Sequence, residues 1–107
     1  MGRATNQQVL KDLRQLKSEL QKRMDLKHFI LFGSRARGDE LLTSDVDLIV
    51  VSDHFAGRNF RYRPEEVLEH WPDAVDLEVF CYTPEEFERM KNRLGIVNRA
   101  ASEGVEI

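Results

Sequence analysis

Two aspartates separated by one residue stand at the start of an apolar run, and they are the residues of this chain best suited to chemistry. Asp45 and Asp47 lie in the segment SDVDLIVV. In a β-strand, residues two apart point to the same face, with α-carbons about 6.6 Å apart. Two carboxylates held together beside an apolar core repel each other unless a cation or a proton compensates. Such oxygen ligands suit Mg²⁺, and a carboxylate pair can bridge two ions roughly 3.5 to 4 Å apart.

A glycine and a serine follow directly on the preceding apolar run, HFILF. Gly33 lets the backbone approach a ligand closely, consecutive N–H groups in such a turn form an anion site, and the Ser34 hydroxyl adds a donor. The segment GSRARG lacks the spacing of a P-loop or of a dinucleotide fingerprint. Taken alone the turn is a weak signal, and the aspartates have a simpler explanation in which Asp45 caps a turn and Asp47 lies at the solvent edge. Together they predict a phosphate cradle that faces a magnesium site.

Three short apolar runs predict the strands that would position these residues, at His28–Phe32, Val46–Val51 and Ala74–Tyr82. The lengths of the first two runs favour strands buried on both faces. Ahead of them we predict an amphipathic helix from about Asn6 to Asp25. Its apolar residues recur at steps of three and four: Val9, Leu13, Leu16, Leu20 and Met24.

Proline and acidic residues mark two further helix starts. Pro64, followed by two glutamates, is predicted to begin a short helix after a loop from Ser52 to Arg63. The segment TPEE, Thr83–Glu86, combines a threonine cap, a proline at the first helical position and a glutamate that closes a capping box. A last short helix is predicted over Ile96–Ser102, stopping at Gly104 before the VEI tail.

Length and composition set the class of protein. The 107 residues fit a single domain, 1–107, that can bury a core without disulfides. Lys and Arg number 16 against 19 Asp and Glu, a net charge of -3, so the chain lacks the basic character of a dedicated nucleic-acid binder. Cys81 lies in an apolar run and is expected to be buried and unreactive. No apolar run approaches the ~20 residues of a membrane span, so we expect a soluble, cytoplasmic protein.

The segment from Gly33 to Leu48, GSRARG followed by SDVDL, resembles the GSxxxG and SDxDL signature of the DNA polymerase beta type nucleotidyltransferase superfamily. The short chain is similar to the minimal nucleotidyltransferase branch of that superfamily. The match is specific over Phe32 to Val51, and the TPEEFE helix is also similar. Elsewhere the resemblance depends on length and element order. It implies an α+β (α/β) fold, a mixed β-sheet with flanking helices like the polymerase beta palm.

The resemblance also implies an activity, which is transfer of a nucleoside monophosphate from an NTP with release of pyrophosphate, assisted by two Mg²⁺ ions. By motif, Gly33 and Ser34 would bind the triphosphate, and Asp45 and Asp47 the metals. AMP from ATP is the expected donor group.

A third carboxylate normally comes from a later strand in this family, where it binds the catalytic metal and accepts the proton of the nucleophile. Asp76 is the candidate, and Glu78, which shares its face two residues on, is the fallback. Arg35 lies nearest the glycine-serine turn and is the better candidate for a further phosphate contact. Pairing of Arg35 with Asp39 or Glu40 in solvent explains that arginine equally well.

The sequence is compatible with three functions. The first is an adenylyltransferase acting on a hydroxyl, for which the resemblance suggests a tyrosine of a HEPN-domain toxin, with this chain as the antitoxin. The second is a non-catalytic nucleotide-binding or antitoxin assembly module. The third is an RNA (tRNA-end) nucleotidyltransferase, because residues 54–63, HFAGRNFRYR, interleave arginines with aromatics that can stack a base. Those aromatics have a simpler role, covering the core. So small a module is also expected to pair with itself or with a neighbour.

Overall fold

The computed structural model describes residues 6–32, 46–71, 77–93 and 95–107. Two 3₁₀ helices, Asp53–Phe55 and Phe60–Tyr62, lie between the second strand and the second helix. The elements in chain order are α1 (Asn6–Gln21), β1 (Leu26–Phe32), β2 (Val46–Ser52), α2 (Arg63–Leu68), β3 (Leu77–Tyr82), α3 (Pro84–Met90), α4 (Ile96–Glu103) and β4 (Val105–Glu106).

These strands form one mixed sheet in the order β3-β2-β1-β4. The central strand β2 pairs antiparallel with β1 and parallel with β3, and β1 pairs antiparallel with β4. A parallel pair needs a long crossover between its strands, and here the 3₁₀ helices and α2 lie within it. The predicted α+β fold, a mixed sheet with flanking helices, is confirmed.

The sheet carries a hydrophobic core on each face, because successive strand residues point to opposite sides. One core, which we call the α1 face, contains the apolar stripe of α1 together with alternate residues of the strands: Phe29, Leu31, Leu48, Val50, Leu77, Val79 and Cys81. The other core, the α3 face, combines the remaining strand residues with Phe87 of α3 and Val97 and Ala100 of α4: Ile30, Phe32, Ile49, Val51 and Tyr82. All five predicted stripe residues of α1 are buried.

The helix boundaries follow local chemistry. α1 ends at Gln21, earlier than predicted, and a turn leads into β1. The capping box of α3 is present as predicted. The Thr83 hydroxyl accepts from the Glu86 N–H at 3.2 Å, and the Glu86 carboxylate accepts from the Thr83 N–H at 2.8 Å. In the sequence, Thr5 with Gln8 three places later matches a capping box at the start of α1, and Thr5 lies outside the described residues.

The strand β4 was missed by the sequence prediction, and it depends on a glycine. Gly104 follows α4, where its N–H donates to the Ala100 carbonyl at 2.8 Å. A Cβ at this position would lie 2.5 Å from the Ala100 carbonyl oxygen and 2.5 Å from Cγ2 of Ile30. Because glycine has no Cβ, the chain can turn from α4 directly onto the edge of β1. The Glu106 carboxylate then accepts from the Phe29 N–H at 2.7 Å.

Candidate active site

Asp47 is the second residue of the central strand, and the sheet places one residue on each side of it. Its Cα partner on β1 is Phe32, the last residue of that strand, and its Cα partner on β3 is Glu78. Asp47 alternates with Ile49 and Val51, both in the α3-face core. Glu78 alternates in the same way with Phe80 and Tyr82. Asp47 and Glu78 therefore lie side by side on the same face of two neighbouring strands.

Burial changes sharply at this point of β2. Leu48, Ile49, Val50 and Val51 are all completely buried, whereas Asp47 is partly exposed and Glu78 is exposed. The apolar residues fix the strand in the middle of the sheet, and this leaves Asp47 at the margin of the core. Its carboxylate is close enough to apolar surface to favour a charge partner and open enough to meet a ligand.

Aromatic rings flank the acidic pair. The Phe32 and Phe80 ring centroids lie 6.2 Å apart, across the central strand. Phe32 is buried and Phe80 is half-buried, and both belong to the α3-face core. These rings give the acidic pair an apolar border on the α3 face, which strengthens any charge interaction made there.

Several predicted site residues lie outside the described residues. They are Gly33, Ser34, Arg35, Asp45 and Asp76. Their neighbours in the chain are described. Phe32, directly before Gly33, pairs with Asp47, and Val46, directly after Asp45, pairs with Leu77, directly after Asp76. The peptide chain therefore attaches all of the predicted motif segments to one end of the β1-β2-β3 sheet.

A carboxylate pair offers hard oxygen ligands, the kind that Mg²⁺ takes from proteins. Asp47 and Glu78 form such a pair at adjacent positions. Within the residues that the structure describes, no group of three or more His, Cys, Asp or Glu side chains is placed to hold a metal ion. Two described carboxylates suit an ion that completes its shell with other oxygen ligands.

The arginine-aromatic segment 54–63 divides into parts with different roles. Phe55 is completely buried in the α1-face core, as the core-covering interpretation expects, whereas Phe60 and Tyr62 are 47% and 56% exposed. Arg58 and Arg61 are exposed. The segment is therefore divided between the core, through Phe55, and the surface, through Phe60 and Tyr62.

Sequence reasoning missed the importance of Arg63. The Arg63 side chain is only 5% exposed, which is unusual for an arginine. Its guanidinium donates to the Glu86 carboxylate at 2.7 Å and to the Cys81 carbonyl at 3.1 Å, and its Nε donates to the Arg58 carbonyl at 3.1 Å. The hydrogen bond from Arg63 is the main reason why the pKa of Glu86 lies below its ordinary value. Arg63 therefore ties α2, the edge strand β3 and the start of α3 together.

Two solved structures have a fold similar to that of this chain. A crystal structure of a candidate nucleotidyltransferase from Sulfolobus solfataricus superposes with a TM-score of 0.68 over 94% of this chain and 80% of that chain, at 24% identity. BolA1 from Arabidopsis thaliana gives a TM-score of 0.55 over 70% of this chain and 94% of that chain, at 18% identity. At these identities the likenesses concern the fold, and the first defines it as a nucleotidyltransferase-type fold.

The family is shown by sequence. The model of the nucleotidyltransferase domain matches residues 13–106, so this chain belongs to the nucleotidyltransferase domain family. This confirms the superfamily resemblance drawn from the GSRARG and SDVDL segments and supports nucleotidyl transfer as the general activity. No curated protein sequence matches the chain. None of the helices in the described ranges is long and apolar enough to cross a membrane.

Proposed function

We propose that this chain is a Mg²⁺-dependent nucleotidyltransferase that transfers AMP from ATP to a hydroxyl acceptor. The observation that carries the proposal is the register of β2 and β3, which sets Asp47 beside Glu78 on one face at the margin of the core. Asp45 and Asp76 occupy the equivalent positions two residues earlier in sequence. In the sequence, residues 45–47 and 76–78 are both acid-x-acid segments, and the register pairs their last residues, Asp47 and Glu78.

Each motif residue has a role in this proposal. Gly33 and Ser34 bind the triphosphate through backbone N–H groups and a hydroxyl, and Arg35 contacts a phosphate. Asp45, Asp47 and Asp76 hold the metal ions, whose chemistry when bound is to neutralise the charge that develops on the phosphate oxygens. The described donor, Asp47, fits that demand because it is a carboxylate on a fixed strand.

The reaction balances with these groups alone. The acceptor oxygen forms a bond to the α-phosphorus of the NTP, and the bond from that phosphorus to the β-phosphate bridging oxygen breaks, so pyrophosphate leaves. The acceptor proton passes to the Asp76 carboxylate, which orients the hydroxyl for in-line attack. The Phe32 and Phe80 rings border the acidic pair on the core side.

The acceptor we propose is a tyrosine hydroxyl on a HEPN-domain toxin, with this cytoplasmic chain acting as its antitoxin. The support is the resemblance to minimal nucleotidyltransferases, together with the match of the nucleotidyltransferase domain to residues 13–106.

The test is transfer of label from α-labelled ATP to the partner protein in the presence of Mg²⁺. The wild type is expected to label the partner, and Asp47→Asn is expected to lower the rate by at least about 100-fold, the loss typical of a group that stabilises transition-state charge. Asp53→Asn is the matched control, since Asp53 is an exposed acid beyond the other end of β2. If wild type and Asp47→Asn transfer the same amount across all four NTPs, the proposal is wrong.

Two further variants identify the third carboxylate. If Asp76 accepts the proton, Asp76→Asn loses transfer and Glu78→Gln keeps most of it. The reverse result would assign the role to Glu78, the register partner of Asp47. Both variants retain side-chain size, so circular dichroism should show the wild-type fold in each.

A further inference from the structure

A continuous exposed surface covers the outward side of the segment 61–69. The 3₁₀ helix Phe60–Tyr62 runs directly into α2, so residues three or four apart along this segment are neighbours on its surface. The exposed side chains on it define what we call the α2 outer surface: Arg61, Tyr62, Glu65, Leu68 and Glu69. No role in the proposed active site uses this surface.

Exposed apolar side chains are concentrated here. Within the described residues, four large hydrophobic side chains are exposed, and Phe60, Tyr62 and Leu68 are three of them. Single exposed apolar residues need no explanation, but three within nine consecutive residues point to a binding surface. Phe60 adjoins the α2 outer surface and stacks against Tyr82, with ring centroids 5.4 Å apart.

Contacts on the inward side of α2 keep Tyr62 and Leu68 exposed. On the inward side of the same segment, Val67 is completely buried and Arg63 is held by Cys81, Glu86 and the Arg58 carbonyl. Any rotation of α2 that buried Tyr62 would pull Arg63 away from these acceptors. Breaking a buried charged hydrogen-bond network is costly, so Tyr62 and Leu68 stay in solvent in the isolated chain.

The charges on this surface favour a second copy of the chain over nucleic acid. Glu65 and Glu69 are one helical turn apart and repel each other, whereas Arg61 carries the opposite charge at the other end of the surface. The Arg61 guanidinium lies 5.9 Å from the Tyr62 ring centroid, and a Glu69 oxygen lies 3.5 Å from Nε2 of His70. A phosphodiester backbone requires several cations, and the two carboxylates oppose it.

We infer that the α2 outer surface binds the same surface of a second copy, forming a two-fold symmetric dimer. In a two-fold contact each interaction occurs twice, and Arg61 of one copy then meets Glu65 or Glu69 of the other around the packed Tyr62 and Leu68 side chains. α2 packs on the α1 face, through Val67, whereas Asp47 lies on the α3 face. The dimer therefore leaves the proposed active site open and does not depend on the proposed function.

Sedimentation velocity over a concentration series up to on the order of 100 µM, the range of weak specific complexes, tests this inference. The wild type is expected to shift from monomer to dimer as concentration rises. Arg61→Glu alone, and Glu65→Arg with Glu69→Arg, should each raise the dimer dissociation constant at least about tenfold, because repulsion replaces attraction at two symmetric places. An equimolar mixture of the two variants should recover the dimer as a mixed species.

Arg14→Glu is the matched control, since Arg14 is an exposed arginine on α1, and its dissociation constant should equal that of the wild type. Circular dichroism checks that every variant is folded. A wild type that is monomeric throughout the series would overturn the inference, as would a dimer unaffected by Arg61→Glu. A monomeric wild type that shifts single-stranded RNA in a gel, with the shift lost in Arg61→Glu, would also overturn it by assigning the surface to nucleic acid.

Discussion

Replacement of Arg63 by methionine should be among the most destabilising changes available in this chain. Arg63 is buried and bridges the Arg58 carbonyl, the Cys81 carbonyl and the Glu86 carboxylate. Methionine keeps the apolar packing of the stem but removes every donor. The substitution therefore isolates the hydrogen bonds from the volume of the side chain.

The size of the destabilisation follows from the acceptor groups that lose their donor. The Cys81 carbonyl of β3 would lose its Arg63 donor in a buried position, which costs about 1 to 3 kcal/mol. The bond to the Glu86 carboxylate is charge-assisted, worth about 1.5 to 3 kcal/mol. The Glu86 side chain is 29% exposed, so water can compensate part of that loss. We expect the free energy of unfolding to fall by about 3 kcal/mol in total.

Urea unfolding followed by circular dichroism measures this change. Arg61→Met is the matched control, because Arg61 is exposed two residues away, and it should cost less than about 0.5 kcal/mol. The m-value should stay constant, which shows that the midpoint reports stability. If Arg63→Met costs no more than Arg61→Met, the guanidinium does not hold α2, β3 and α3 together and our account of the crossover is wrong.

Three further outcomes follow from single contacts. Gly104→Ala should destabilise the protein by about 1 to 3 kcal/mol in urea, because its Cβ meets the Ala100 carbonyl and Ile30; an unchanged midpoint would contradict the close approach. The pKa of Glu86 is lowered, so its stabilising effect is complete above the ordinary carboxyl pKa and is lost as pH falls through the lowered value. As the pH is lowered from 7, the difference in the free energy of unfolding between wild type and Arg63→Met should therefore become smaller. A difference that stays constant would refute the pairing of Arg63 with Glu86. Burial raises the pKa of Cys81 to about 12, so a thiol reagent at neutral pH should label native protein far more slowly than protein in urea, and equal rates would show that the thiol is accessible.

Local signals in the sequence predicted much of this fold. The stripe of α1 and the capping box of Thr83 and Glu86 depend on residues three or four apart, which a helix brings together whatever the rest of the chain does. The apolar run VDLIVV was identified as a buried strand because only a strand in the middle of a sheet is apolar on both faces.

Long-range contacts could not be predicted in the same way. The strand β4 contains two residues, too few for a periodic pattern, and its position depends on the absence of a Cβ at Gly104. The burial of Arg63 depends on Glu86, 23 residues later. Nothing in FRYR distinguishes this arginine from the exposed Arg61, except that Arg63 stands directly before the proline that begins a helix.

The position of the acidic site depends on both a local sequence signal and a long-range contact. Strand alternation predicts which face Asp47 shares with its neighbours, and it makes the same prediction for Glu78. Alternation does not give the register between two strands that are connected by a long crossover. The structure supplies that register by pairing Asp47 with Glu78, so the described acids of the two strands lie side by side.

The most direct test of the central claim is transfer of label from α-labelled ATP by the wild type, Asp47→Asn and Asp53→Asn proteins, with Mg²⁺ and the HEPN-domain partner present. We predict that wild type and Asp53→Asn label the partner at equal rates and that Asp47→Asn is slower by at least about 100-fold. Equal labelling by all three proteins would show that Asp47 has no part in the chemistry and would contradict the account.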